Sequence, residues 1–339
     1  MHDTEHADDA GSRVVHRVHL RRSATVPPVA TAGPQAERSV STRRRSSFRE
    51  LESCLVGFTS VVITTTSRMH CRVPPGQFTC IAVFCRHERV TALQEKRLVE
   101  VCFSPGLFQD ILTTGDFIVV LVDILRATTT ICTAVGNGVE AIIPVASHEE
   151  ARQLKSEGFL VATEKDGVQL DFADFGNSAF SFTRDAIGGK TLVYCTTNGT
   201  RALEMAKSAS SIVIGAFINI SAVTEWLAGQ QKNVVILCSG WKNKFCLEDT
   251  LFAGALTRRL LDTDLFRTDC DSANASMDLW NLAEGDLLDY IEKAAQRHRL
   301  KKLGLDDVIP YSFECDQVKV VPVFDGKLIK GYVAHPPTA

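Results

Sequence analysis

Residues 117–138, FIVVLVDILRATTTICTAVGNG, limit what this chain can fold into more than any other stretch. Residues 117–122 are uniformly apolar, too uniform for a half-exposed strand and too short for a typical helix. They predict a fully buried strand of a parallel sheet. The run stops abruptly at Asp123 and hands over to Arg126, Ala127 and three threonines. Residues 128–135 then predict a short helix, ended by Gly136, Asn137 and Gly138. In open α/β sheets ligands bind just beyond the carboxyl ends of the strands, where helix N-termini favour anions. Asp123 and Arg126 are expected at that edge.

The same texture repeats from about Lys96 onward. Strands are predicted at 98–103, 141–145, 159–163, 191–195, 211–216 and 233–237, with helices at 147–158, 201–208, 221–227 and 247–261 between them. Ser147 and Glu150 open the first of these helices as a capping box, and Gly158 ends it. Residues 277–303 are helical by pattern. Residues 318–324 and 328–333, joined by Asp325-Gly326, predict a terminal hairpin or edge strands. The succession of βα units implies an α/β fold of three layers, α/β/α, around a mainly parallel or mixed sheet.

The first 95 residues read differently. They hold 13 arginines, no lysine and 9 acidic residues, a net of +4, against −7 for residues 96–339. Such asymmetry marks a tail on a separate folded body, which here is residues 96–339. The basic, serine-rich cluster RRRSS at 43–47 leaves three readings open: an unstructured extension, an organelle-targeting peptide, or an arm that binds a partner or nucleic acid. Cys71, Cys80, Cys85 and His87 match no standard zinc-finger spacing. The whole chain carries a formal charge of only −3, so bulk electrostatics do not make the folded body a nucleic-acid binder. No apolar run approaches the roughly 20 residues that span a bilayer. Eleven cysteines, without a Cys-x-x-Cys pair and often inside apolar runs, suggest reduced thiols rather than a disulfide framework. The expected compartment is the cytoplasm, or an organelle if residues 1–50 act as a targeting peptide.

The polar residues gather at one kind of place. Asp123 with Arg126, Glu164 with Lys165, residues 196–200 (Thr196, Thr197, Asn198, Gly199, Thr200), and Cys238 with Ser239 and Gly240 each follow an apolar strand. In a parallel sheet those ends share one rim, and Glu248 and Asp249 open the helix after the last of them. Carboxylates (Asp123, Glu164, Glu248, Asp249) suit a hard divalent cation, and Mg²⁺ needs only one or two of them. Hydroxyls and helix-initiating amides at Thr128, Thr129, Thr196, Thr197, Gly199 and Thr200 can ring a phosphate or sulfonate. Arg126, Lys165 and Arg201 can neutralise it. The plainer readings are that Glu248 and Asp249 oppose the helix dipole, that the threonines of 128–130 are first-turn residues, and that Cys238 is a buried thiol. Cys238 is followed by SGWKNK and opens no Cys-x5-Arg loop. A carboxylate directly after a buried strand, such as Asp123, must be solvated, paired or ligating.

These segments, in this order, resemble the 2-phosphosulfolactate phosphatase family. The matching strings are VCFSPGLF at 101–108, VDILRATTTICTAVGNG at 122–138, Glu164 followed by FGNS at 175–178, TTNGTRAL at 196–203, and CSGWKNKFCLEDTLFAGAL at 238–256. The family tends to have proline after GNS, where this chain has Ala179. The resemblance implies a Mg²⁺-dependent, oligomeric phosphatase converting 2-phospho-3-sulfolactate to 3-sulfolactate, a step of coenzyme M synthesis in some organisms. It places Asn177 and Ser178 beside the residues above as substrate contacts, and Asp123, Arg126, Glu164 and Cys238 as candidate catalytic groups. The partners expected are a small anionic phosphorylated substrate and further copies of the chain, with no membrane. Two alternatives remain open: another phosphorylated hydroxy acid as substrate, or a protein that binds such an anion without hydrolysing it.

Overall fold

In a computed structural model of the chain the described residues are 95–111, 116–196 and 199–333. The chain divides into two units, Met1–Arg86 and His87–Ala339, and the described residues all belong to the second. The readings made for residues 1–94, including the cluster at 43–47 and the Cys71, Cys80, Cys85 and His87 spacing, lie outside them.

The described residues form an α/β structure around one mixed sheet flanked by helices. Its strands in chain order are β1 (Arg97–Cys102), β2 (Phe117–Val122), β3 (Ala141–Pro144), β4 (Leu160–Lys165), β5 (Val168–Gln169), β6 (Thr191–Cys195), β7 (Ser211–Gly215), β8 (Asn233–Cys238), β9 (Phe266–Arg267), β10 (Val320–Phe324) and β11 (Ile329–Val333). Their spatial order is β5-β4-β6-β3-β11-β10-β7-β2-β8-β1-β9. The apolar run at 117–122 is central, as its composition requires. β2 pairs in parallel with β7 on one side and β8 on the other, and Val119, Val120 and Val122 are fully buried. Each such side chain removed from water contributes about 1.5–3 kcal/mol.

The C-terminal hairpin corrects the sequence reading. β10 and β11 do pair antiparallel, and Asp325 closes their turn by accepting from the Lys327 and Leu328 amides at 2.9 and 2.8 Å. They are not edge strands, however, because β10 pairs with β7 and β11 with β3, both antiparallel. The sheet is therefore two parallel blocks, β9-β1-β8-β2-β7 and β3-β6-β4, running in opposite senses on either side of the hairpin. Both joins are short: two residue pairs between β10 and β7, one between β11 and β3. The shortness fits Pro322, which has no N–H to give a ladder and lies outside the two pairs with β7.

Helices cover the sheet where the pattern placed them. Ser147 caps the helix His148–Ser156, its hydroxyl accepting from the Glu150 amide at 3.1 Å. The stretch 277–303 breaks into Asp271–Ala283, Leu287–Tyr290 and Ala295–Lys302, with Gly285-Asp286 interrupting the helical periodicity. Among the described residues no helix is long and apolar enough to cross a membrane.

The helix Leu247–Asp262 packs closely against Asp271–Ala283. At their crossing a Cβ on Gly254 would stand 2.0 Å from the carbonyl oxygen of Ser276, so only glycine permits the approach. Gly254→Ala is expected to lower the unfolding free energy by about 2–3 kcal/mol in urea titration, because the clash is with backbone that cannot rotate away. Wild-type stability in that variant would mean the helices do not cross at this distance.

Candidate active site

Where β2 ends, the chain turns into the helix Ala127–Gly136, and the threonines lock that turn. The Thr128 hydroxyl accepts from the Asp123 amide at 3.1 Å, and the Thr128 amide donates to the Asp123 carbonyl at 2.9 Å. Thr129 donates its hydroxyl to the Ile124 carbonyl at 2.9 Å. Both side chains are buried and engaged with backbone, so they shape the loop rather than present free hydroxyls to a ligand. The Ala127 amide donates to the Asp123 carboxylate at 3.4 Å.

The loop so held faces a small cavity lined by Asp123, Arg126, Glu164, Asn177 and Thr196. These come from strand ends of both parallel blocks, since Asp123 follows β2 while Glu164 and Thr196 belong to β4 and the end of β6. The expected convergence is present, but it is not one rim. The blocks run in opposite senses, yet residues from the ends of both line this cavity.

Two tight turns complete the walls. Between β4 and β5, Asp166 and Gly167 both have positive φ, 51° and 93°, the two-residue turn that Asp-Gly favours. It is tied in by the Gly167 amide donating to Glu164 and by Arg126 Nη2 donating to the Gly167 carbonyl at 2.9 Å. After β8, Trp241 and Lys244 exchange both backbone hydrogen bonds, at 3.1 and 3.0 Å, around Lys242 and Asn243, again with positive φ. Gly240 before them has φ +59°, and a Cβ there would lie 2.3 Å from the Lys244 carbonyl oxygen. This second turn brings Trp241 to the cavity, and the helix Ala295–Lys302 brings Gln296 and Arg299. Sequence reading passed over all three. The Asp166-Gly167 turn was legible as a hairpin signal, whereas nothing local marks Gln296 and Arg299.

The other expected residues fall into three groups. Gly199 stands beside the site: a Cβ on it would be 3.2 Å from that of Ala127 and 3.7 Å from Asp123 Oδ2. Asn177 accepts from the buried Tyr194 hydroxyl, and Ser178 follows it, partly exposed. Thr197 and Asn198 lie outside the described residues, as do the side chains of Thr200 and Arg201 on the helix Gly199–Met205. Lys165 is exposed and Ser239 buried, and neither lines the cavity.

Cys238 is corrected as a catalytic candidate. It is fully buried outside the cavity wall, and burial pushes its thiol far above the ordinary range, so no thiolate is available. A Cys-x5-Arg spacing does occur, from Cys195 to Arg201. Cys195 is packed among Val145, Ala151, Val161 and Val193, and burial pushes its thiol up to about 11, which equally argues against a nucleophile.

The acids are not gathered into a common cage. Among the described residues no group of three or more His, Cys, Asp or Glu side chains is placed to hold one metal ion. Asp249 is already used: Oδ1 accepts from the Ile124 amide at 2.9 Å and Oδ2 from the Gly240 amide at 3.1 Å. It clips the loop after β2 to the loop after β8. Glu248 is buried beside it, outside the cavity wall. Burial, followed by the charge of Asp123, pushes Glu248 up to about 7. Asp249 is raised well above the usual carboxylate range by burial and by Glu248. Asp123 is pushed up to about 6, first by burial and then by Glu164, against the pull of the Ala127 amide and Arg126. None of the ion pairs among the described residues involves Asp123, Glu248 or Asp249.

An α/β frame with buried carboxylates and a buried guanidinium around one small cavity defines a site for a compact, highly charged anion. Residues 102–327 match the family model described as 2-phosphosulpholactate phosphatase, and the chain belongs to that family. Curated relatives named "Probable 2-phosphosulfolactate phosphatase" are similar to it. The one from Caldanaerobacter subterraneus is 34% identical over 216 residues, covering 62% of this chain and 89% of the relative. That from Thermotoga maritima is 36% identical over 203 residues, covering 60% and 87%, and that from Prochlorococcus marinus 38% over 211 residues, covering 60% and 87%.

Two outcomes follow from the electrostatics. Because the folded-state pKa of Asp123 is raised from 3.8 to about 6, the stability it contributes is complete below pH 3.8 and is lost as pH rises through 6. Asp123→Asn is therefore expected to be more stable than wild type at pH 8 in EDTA, by on the order of 2–3 kcal/mol, with the gap closing by pH 4. Urea unfolding at both pH values measures it, and a less stable variant at pH 8 would contradict the assignment. Cys238→Ala and Cys195→Ala are each expected to retain turnover within about threefold, whereas a nucleophile would lose at least about 10³.

Proposed function

We propose that this chain hydrolyses 2-phospho-3-sulfolactate to 3-sulfolactate and phosphate, with Mg²⁺ as cofactor. The observation that carries the reading is the meeting of Asp123, Glu164 and Arg126 from separate strand ends in a single cavity, in a chain of this family. Such an ester carries phosphate, sulfonate and carboxylate, and a guanidinium that is buried and, among the described residues, engaged only with a backbone carbonyl has N–H donors for it.

The donor set suits Mg²⁺ in a restricted way. Asp123 and Glu164 offer hard oxygens on the cavity wall, and one or two carboxylates are what Mg²⁺ ordinarily takes from protein. Asp249, with both oxygens given to amides, is removed from the expected ligand set, and Glu248 stands behind the wall. Bound there, the ion would neutralise the carboxylates and polarise the phosphoryl oxygens.

The chain's own groups then have separable roles. Arg126 binds the phosphoryl group and stabilises the charge that develops on its oxygens. Asp123, on the wall beside Glu164, would hold the ion against the phosphoryl group and orient the attacking water. Trp241 and the Asp166-Gly167 turn limit water access to the cavity. In organisms that make coenzyme M, this reaction is a step of its synthesis, and we assign the chain to that step.

Phosphate release by the full-length chain from 2-phosphosulfolactate, phospholactate and phosphoglycerate, with Mg²⁺ and with EDTA, tests the proposal. Mg²⁺-dependent release favouring the sulfonate at least tenfold is expected, and Asp123→Asn should lose about 10²–10³ in kcat. Equal release in EDTA would remove the cofactor from the reading. A folded protein that releases phosphate from none of them is a binder, not an enzyme.

A further inference from the structure

Arg299 is the least expected wall residue. It lies some hundred and seventy positions after Asp123, on the helix Ala295–Lys302, and belongs to none of the strand ends. Its placement is nonetheless specific. The guanidinium lies over the Trp241 ring, 5.3 Å from the centroid, and donates to Gln296 Oε1 at 3.4 Å. Gln296 is itself anchored, its amide donating to the Leu125 carbonyl at 3.0 Å. A ring on one turn and an amide on the same helix thus hold a planar cation whose remaining donors are free to meet a ligand.

Its relation to Arg126 gives it meaning. Both guanidinium ends approach Gly167: the point where a Cβ would stand is 3.3 Å from Arg299 Nη2 and 3.8 Å from Arg126 Nη2. Neither arginine forms an ion pair with a carboxylate among the described residues. Burial lowers the Arg126 pKa most, the charges of Tyr194, Glu164 and Asp123 raise it, and that of Arg299 lowers it by less. Two guanidinium groups and the carboxylates of Asp123 and Glu164 thus share the wall of one cavity. One phosphoryl group at Arg126, beside Asp123 and Glu164, leaves Arg299 to meet a second anionic group on the same small molecule.

Lys242, another cation nearby among the described residues, does not fill that role. It is more than half exposed, stands 4.6 Å from the Trp241 centroid and 3.9 Å from Asp166, and does not line the cavity.

We infer that Arg299 is a specificity-determining residue that binds the acid group next to the phosphoester carbon, sulfonate or carboxylate, with Trp241 and Gln296 as its positioning residues. The inference rests on the phosphatase reading for its substrate, but not for its test. Calorimetric titration of the full-length chain with 3-sulfolactate, which carries both acid groups and no phosphate, reads Arg299 without turnover. Arg299→Gln is expected to weaken that binding about 30- to 100-fold, corresponding to roughly 2–3 kcal/mol. For inorganic phosphate the loss should be at least tenfold smaller, and Arg126→Gln should show the reverse order.

Kinetics give a second readout. With 2-phosphosulfolactate, Arg299→Gln should raise KM far more than it lowers kcat, and Trp241→Leu should reproduce part of that rise while keeping the charge. Losses of equal size for sulfolactate and phosphate, or no loss for either, overturn the inference while leaving the phosphatase reading intact. A wild-type chain that binds no sulfolactate overturns both. Absence of turnover with Arg299-dependent sulfolactate binding overturns the phosphatase reading and keeps the inference.

Discussion

A carboxylate buried in the first turn of a helix holds this site together. Asp249 gives one oxygen to the Ile124 amide and the other to the Gly240 amide, and so joins the segment that follows β2 to the segment that follows β8. Those two segments carry Asp123 and Arg126 on one side and Trp241 on the other. An uncompensated carboxylate at such depth is costly, and two amides pointing at it are the compensation that the fold supplies. The helix N-terminus adds a smaller favourable field. The carboxylate that sequence alone suggests as a ligand thus proves to be the clip that fixes the geometry in which others act.

The hairpin inside the sheet is the second constraint. Two parallel blocks running in opposite senses would ordinarily present their carboxyl ends on opposite sides. Here an antiparallel hairpin, joined to each block by one or two residue pairs, stands between them, and Asp123 and Glu164 line the same cavity. Burial pushes the acids up, Asp123 to about 6 with Glu164 adding to it and Glu248 to about 7 with Asp123 adding to it. This is electrostatic strain of the kind that functional sites carry at the expense of stability. A cation between the carboxylates, or protonation, would relieve it.

Much of this was legible from local pattern. The apolar run at 117–122, the capping box at Ser147 and Glu150, and the Asp325-Gly326 turn depend on neighbours a few residues away, and each appears where the pattern places it. Of the polar residues after the strands, Asp123, Arg126, Glu164 and Thr196 line one cavity, as strand ends in an α/β sheet are where buried backbone stops and side chains can meet a ligand. Residue roles were less legible. Thr128 and Thr129 look like anion donors and are loop locks, Cys238 looks placed for chemistry and is sealed in the core, and Lys165 faces water.

What the sequence by itself determined is the alternation of strands and helices, the central position of β2 and the chemical types available at each strand end, since these follow from periodicity and composition over short windows. Only the tertiary structure decided that the C-terminal hairpin lies in the middle of the sheet, that Asp249 spends both oxygens on backbone amides, and that Gln296 and Arg299 reach the cavity. The physical reason is the same in each case. Pairing across a sheet and contact across a cavity join residues far apart in the chain, and they are settled by the burial and hydrogen bonding of the whole arrangement, which no local window of sequence contains.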